Sequence, residues 1–239
     1  MSAGKKKRGG VIAALVAVVA LVIAALVYFL RRPAAAASTA DLPADEDERF
    51  VAVVWPLARE VYGDDAKADD VTAHAKVEVG TLGHGNVEVG NNLFGITVGN
   101  SGHSPSFRGG DLEYGADGVA RDRSQQWRGY PGGLVASVRD YKQFVEALYA
   151  SRSRTTRHED TPQGPVRYGT SLGTPGAAGL VGQGEPYVRA LYNGPVRSNG
   201  TIRGYYTLPE DQMAARFNAA LAFVKATRRR LGIGGGTWV

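Results

Sequence analysis

Residues 11–30, VIAALVAVVALVIAALVYFL, carry no charge, no glycine and no proline. Such a run has no polar face to offer water, so it folds against lipid or is removed. At 1.5 Å per residue it reaches about 30 Å, the hydrocarbon thickness of a bilayer. Lys5, Lys6, Lys7 and Arg8 precede it, and Arg31 and Arg32 follow. The heavier basic cluster is N-terminal. Residues 1–10 are therefore expected as a cytoplasmic stub, 11–30 as a single transmembrane helix, and the rest outside the cytoplasmic membrane, periplasmic or extracellular. The competing reading is a secreted protein freed by signal-peptide cleavage, because Ala34 to Ala37 offer small residues to a peptidase. Against it, the run is long for a signal core, and Arg31-Arg32 interrupts the approach to that site. Its alanine content also admits a weakly held anchor that later leaves the membrane.

The net charge of +5 is concentrated at this end. Six of the 28 Lys and Arg residues lie in the first 32 positions, where there is no acid, leaving 22 bases against all 23 acids and a net of −1. The basic excess is therefore a topology signal and makes no case for nucleic acid. Arg228-Arg229-Arg230 is a local exception, near the end of an expected helix whose dipole it complements. There is no cysteine, so the exported part folds without disulfides and holds no cysteine-ligated metal.

Residues 31–46 are small and Pro-bearing and read as a flexible linker. About 190 residues remain, enough for one domain with its own core, taken as 47–239. A helix is expected from Asp45 to Asp47 onward, with Phe50, Val53, Val54, Leu57 and Val61 at helical spacing and Pro56 kinking or ending its first half. Asp69 or Asp70 is the expected N-cap of a second helix through Val77 and Glu78, stopped by Gly80. Residues 80–110 read as loops. Tyr114 to Val119 reads as a turn between two short strands within 111–130. Leu134, Val138, Tyr141, Val145 and Leu148 stripe a helix over 133–149. Residues 151–183 read as a long irregular segment, a candidate flap. A short helix around Tyr187 to Tyr192 follows, then a long one from Pro209 to Leu231, with Thr207 and Glu210 as a capping box and Gly232 as its stop. The fold class is α+β, helix-dominated, with a small hairpin lobe.

Glu78 ends the second helix beside a Gly-rich loop, and Asn91-Asn92-Leu93-Phe94-Gly95-Ile96 follows at plus thirteen. A glutamate near a helix C-terminus is ordinarily a solvated surface residue. Glycoside hydrolysis, however, needs a carboxylic acid beside a groove to protonate the leaving oxygen, and this position suits one. Trp127-Arg128, Tyr130 and Ser137-Val138-Arg139-Asp140-Tyr141 come next in order.

This order and spacing resembles the glucosaminidase family of peptidoglycan hydrolases, over about residues 48–192. In that family a helix ends in Glu-Ser-Gly-Trp-Gly, an Asn-Asn-Leu-Phe-Gly-Ile segment follows, and a Phe-Arg-x-Tyr strand leads into a Ser-x-x-Asp-Tyr helix. The resemblance implies a lysozyme-like fold with a groove between two lobes, Glu78 as general acid, and cleavage of the β-1,4 bond after N-acetylglucosamine. It implies peptidoglycan strands as the partner, contacted by Asn91, Asn92, Phe94, Tyr130 and Tyr187. Phe94 suits the core as well as a sugar platform, and Tyr187 lies in Glu185-Pro186-Tyr187-Val188-Arg189-Ala190-Leu191, similar to the family's Asp-Pro-x-Tyr-Ala. Glu113, in Asp111-Leu112-Glu113-Tyr114, aligns with the family's Thr-x-Glu-Tyr hairpin as a second catalytic carboxyl, Asp111 being a lesser candidate. The two carboxyls would lie roughly 6.5–9.5 Å apart for a general base and about 5–5.5 Å apart for a nucleophile; the substrate's own N-acetyl group is the third option.

The chain departs from the family after the acid, where Val79-Gly80-Thr81-Leu82-Gly83 replaces Ser-Gly-Trp-Gly and removes an aromatic wall. Ala190 to Pro195 is similar to the Ala-Tyr-Asn-Ala-Gly segment of lytic transglycosylases, which use one glutamate and make anhydro sugars, but the Gly-Leu-Met-Gln segment of those enzymes is absent. An inactive glycan-gripping module is the remaining alternative. His74 and Glu78 stand at i and i+4, yet no further ligand cluster accompanies them, so no metal or other cofactor is expected. His84, His103 and His158 are expected in loops. The sequence names no protein partner.

Overall fold

The computed structural model describes residues 42–98, 104–109, 112–114, 120–122, 125–162, 164–206 and 208–234, which belong almost entirely to a compact unit running from Pro43 to Val239. The expected stub and membrane span lie outside the described residues. Among the described residues no helix is long and apolar enough to cross a membrane.

The unit mixes helices with small antiparallel hairpins. In chain order they are α1 (Glu46–Tyr62), α2 (Asp65–Val79), α3 (Gly85–Gly90), β1 (Ser106–Gly109), β2 (Leu112–Tyr114), β3 (Ala120–Asp122), β4 (Gln125–Arg128), α4 (Leu134–Leu148), β5 (Ser151–Thr161), β6 (Gly164–Pro175), α5 (Ala177–Leu180), α6 (Glu185–Tyr192) and α7 (Glu210–Arg230). Strands pair as β1 with β4, β2 with β3, and β5 with β6, all antiparallel. The expected turn between Tyr114 and Ala120 is consistent with the pairing of those two residues.

Helix α2 is the axis of the core. It packs on α1 and α7, and every residue from Ala68 to Ala75 is buried. A helix covered on all sides lacks an amphipathic stripe, and its alanines let neighbours approach closely. Its buried polar groups must then find partners inside the protein. Asp69 and Asp70 are thus interior residues, and the N-cap is Asp64, whose carboxylate accepts the Lys67 N–H at 2.9 Å. Asp69 accepts from the Trp55 indole N–H at 2.8 Å and pairs with Arg228 Nε at 2.7 Å. Arg228 also lies over the Trp55 ring, so the first arginine of the triplet clamps α7 to α1 and α2 as well as completing a helix end.

Asp70 accepts the N–H groups of Gly182 and Gly184 at 2.7 and 2.9 Å, fixing the turn that leads into α6. Burial pushes its carboxyl up to about 6, against the two backbone N–H groups that favour the anion. The folded state thus holds this proton more tightly than the unfolded chain, whose carboxyl titrates near 3.8. The site contributes most below that value and loses its contribution as pH rises through about 6. Asp70→Asn keeps an acceptor for both glycines and removes the charge. We expect it to melt higher than the parent at pH 7, by roughly 1–3 kcal/mol of stability, with the gap closing toward pH 4. Equal gaps at both pH values in calorimetry would refute this.

Several expectations change. Helix α1 runs unbroken through Pro56, which sits on the exposed side where water can serve the carbonyl left without its N–H, while Val54, Trp55 and Ala58 stay buried on either side. The 80–110 stretch contains α3, capped by His84, whose Nδ1 accepts the Asn86 N–H at 3.2 Å. His158 lies in β5, and His103 is outside the described residues. At α7 the N-cap is Pro209, with no side-chain cap; Glu210 instead meets Arg189 at 3.0 Å, and Thr207 is outside the described residues.

The largest change is at 151–183, where β5 and β6 form a long ribbon instead of an irregular flap. Thr161 pairs with Gly164 across a two-residue connection that opens with Pro162, a residue whose ring presets the first turn angle. The ribbon has little apolar alternation because it is largely exposed. Backbone pairing holds it, with Ser153, Gly169 and Arg167 tying it to residues 193–202.

Candidate active site

Glu78 is the penultimate residue of α2. Gly80 follows with φ +70°, and its N–H closes on the Lys76 carbonyl, so the chain turns away just past the carboxylate. The Glu78 side chain is 20% exposed. Oε1 lies 3.4 Å from Nε2 of fully buried His74, out of hydrogen-bond alignment. Oε2 faces Gly95, where a Cβ would stand 3.4 Å from it and 3.6 Å from Cζ3 of Trp127. Gly95 has φ +56°, a left-handed conformation that glycine adopts without strain.

Gly95 lies in the Asn91-Ile96 segment, which is held from both sides. Asn91 takes the left-handed conformation at the C-cap of α3, and its side chain donates to the Tyr130 carbonyl at 3.1 Å. Asn92 is fully buried; its amide donates to the Ile96 and Arg128 carbonyls at 2.9 and 3.2 Å and accepts the Ile96 N–H at 3.1 Å. Helix α4 grips the same loop. Ser137 accepts the Leu93 N–H at 3.1 Å, and Tyr141 stacks on Phe94 with centroids 3.9 Å apart. Asp140 accepts from Arg128 Nη1 with both oxygens (3.0 and 2.8 Å) and from the Tyr130 hydroxyl (2.6 Å). The Ser137, Asp140 and Tyr141 spacing thus serves to hold the loop.

Behind the acid is a buried aromatic cluster. His74 Nδ1 is 2.6 Å from the Tyr141 hydroxyl and 3.2 Å from that of Tyr187, and the two phenols bond each other. Tyr205 packs edge-on to His74 at 4.8 Å and donates to the Phe94 carbonyl. Burial pushes the Tyr141, Tyr187, Tyr205 and Tyr206 phenols well above their usual range, and the Glu78 carboxylate adds to this for all but Tyr141. They are neutral hydrogen-bonding groups at any physiological pH.

Gly95 also lines a groove of about 800 Å³, whose walls include Arg128, Asp140, Arg197, Arg203 and Tyr205. The sequence-derived site residues divide around it. Glu78 is not among its lining residues; its carboxylate faces Gly95, which is. Asn92, Phe94 and Tyr187 are fully buried and present nothing to its surface: Asn92 satisfies loop backbone groups, Phe94 is sandwiched in the core, and Tyr187 backs His74. Tyr130 is nearly buried and, with Asn91 and Phe107, lines a separate hollow of about 250 Å³. Glu113 occupies β2 opposite Arg121; its side chain and the whole of Asp111 lie outside the described residues. Asn92→Ala is expected to lower stability by about 2–4 kcal/mol, since it leaves several buried backbone groups unpaired. Thermal melting that does not change would contradict the stapling role.

Sequence reasoning missed Trp127 as a neighbour of the acid. It comes from β4 to the same glycine that Glu78 faces, so an aromatic ring stands near the carboxylate although the family's tryptophan after the acid is absent. The convergence of Arg197 and Arg203 on the groove was also missed. The i, i+4 spacing of His74 and Glu78 was the signal available for that contact. Among the described residues no cluster of three or more His, Cys, Asp or Glu is placed to hold a metal ion.

No protein-family model matches the chain, and no curated protein matches it. Among solved structures it is similar to a peptidoglycan hydrolase mutant from Sphingomonas sp. A1, at 22% identity over 78% of this chain and 99% of that one, with a TM-score of 0.45.

Proposed function

We propose that the chain is a lysozyme-like peptidoglycan hydrolase, anchored by residues 11–30, in which Glu78 is the general acid for cleaving the β-1,4 bond after N-acetylglucosamine. The observation that carries this is the position of the Glu78 carboxylate, partly exposed and facing Gly95, a residue that itself lines a groove large enough for several sugar rings. The Asn91-Ile96 string and the Ser137, Asp140, Tyr141 helix support it, because they build that groove wall.

The roles divide as follows. His74 is the proposed positioning residue: its Nδ1 is held by the Tyr141 hydroxyl and its Nε2 lies 3.4 Å from Glu78 Oε1, on the side of the carboxyl away from Gly95. Glu113, on the hairpin, is the proposed second carboxyl, acting on water or on the oxocarbenium-like centre.

The test is digestion of purified peptidoglycan by the full-length chain with mass spectrometry of the products. Reducing N-acetylglucosamine ends are expected. Anhydro-muramic ends would instead identify a lytic transglycosylase, the reading that Ala190 to Pro195 favours. Retention on sacculi without soluble products would mark an inactive binding module.

A further inference from the structure

The groove has an electrostatic character that cleavage of a neutral glycosidic bond does not call for. Asp140 is the one carboxylate among its lining residues, and Arg128 and Tyr130 already engage it. Arg197 and Arg203 line the same groove, and neither makes an ion pair among the described residues. Both sit on a short hairpin that is fixed internally. The Arg197 N–H donates to the Thr201 carbonyl at 2.7 Å, the Gly200 N–H to the Arg197 carbonyl at 2.9 Å, and the Arg203 N–H to the Pro195 carbonyl at 2.8 Å. Val196 bridges Ile202 between them. Asn199 Oδ1 accepts both the Thr201 N–H and its hydroxyl. The hairpin is also tied to the ribbon through Ile202 N–H to the Arg167 carbonyl at 2.7 Å. Tyr149, whose phenol burial pushes up to about 12 against the charges of Arg203 and Arg197, lines the groove with them.

Two arginines on a turn whose backbone is braced, lining a groove whose single carboxylate is taken, offer their charge to an anion. We propose that Arg197 and Arg203 form a carboxylate subsite, so that the protein selects glycan bearing carboxylates over neutral polysaccharide of the same backbone. This rests on the glycan-hydrolase reading of the groove. Guanidinium matches a carboxylate with two parallel donors, and such a pair discriminates by charge more than by buried area. The carboxylate has two possible sources on a wall strand: the lactyl group of muramic acid once its peptide is removed, or the free carboxylates of the stem peptide.

The experiment measures binding by full-length protein carrying Glu78→Gln, which suppresses turnover. Four ligands are compared: peptide-bearing soluble strands, strands stripped by an amidase, stripped strands with their carboxylates amidated, and neutral chitotetraose. Adding R197Q and R203Q together is expected to weaken binding of a carboxylate-bearing ligand by about tenfold or more and to leave chitotetraose unchanged. An effect on stripped strands that disappears on amidation assigns the lactyl carboxylate; an effect confined to peptide-bearing strands assigns the stem peptide. Equal affinity of parent and double variant for all four ligands overturns the subsite, and so does a uniform loss that includes chitotetraose. The two readings fail separately: undiminished wall cleavage by the Glu78→Gln single variant removes the hydrolase mechanism but not the charge-dependent contrast in binding.

Discussion

Glu78→Gln in the full-length chain is expected to abolish release of soluble saccharide from purified peptidoglycan. A positioned acid is worth roughly 10²–10⁴-fold in rate, and an amide of the same shape cannot deliver its proton. The substitution removes no core packing, because the side chain is partly exposed and its oxygens face His74 and the Gly95 gap. Melting should therefore stay within about 0.5 kcal/mol of the parent. Loss of lysis with an unchanged melt is the pattern that separates a chemical role from a structural one, and undiminished lysis would end the assignment.

Asp69→Ala should be among the most damaging single changes to the fold. Asp69 is 2% exposed and serves the Trp55 indole and Arg228 together, and the arginine is itself only 12% exposed. Truncation strands the indole N–H and leaves the buried Arg228 with only its longer contact to Asp65, at 3.5 Å. Breaking such a pair from one side costs about 3–5 kcal/mol, which in a unit of this size lowers the melting temperature by roughly 10 °C. Asp69→Asn, which can keep the indole partner but not the charge, should fall between. If Asp69→Ala melts with the parent, the clamp between α7 and the α1–α2 pair is not where stability resides.

The sequence was most readable where one face of an element meets the core. The stripe through Val138, Tyr141 and Val145 located α4 closely, and Phe50, Val53, Val54, Leu57 and Val61 located α1. It failed where partners are remote. Asp69 and Asp70 precede an apolar run and look like caps; only the approach of Gly182, Gly184 and Arg228, more than a hundred positions away, reveals them as interior residues. The ribbon at β5 and β6 failed for a different reason: an exposed two-stranded pair needs no apolar alternation, so Thr, Arg and Gly composition reads as coil. In the candidate site, the placement of Glu78 at a helix end before the Asn91-Ile96 loop was legible because it is local. The His74 partners Tyr141 and Tyr187, and the meeting of Arg197 with Arg203 at the groove, depend on helix packing and a braced turn that no short spacing encodes. Asn92 and Phe94 stood out in the sequence as part of a recognisable string, but both are buried and serve to hold the loop they belong to.

Gly95 has a further consequence. The surface facing Glu78 Oε2 is naked peptide there, with the Trp127 ring near the same point. A single methyl group there would fill the slot separating Trp127 from the carboxylate while adopting a backbone angle that alanine resists. The gap between that ring and the carboxylate is thus set by the absence of a side chain, and the smallest alteration genetics can make at that codon would narrow it.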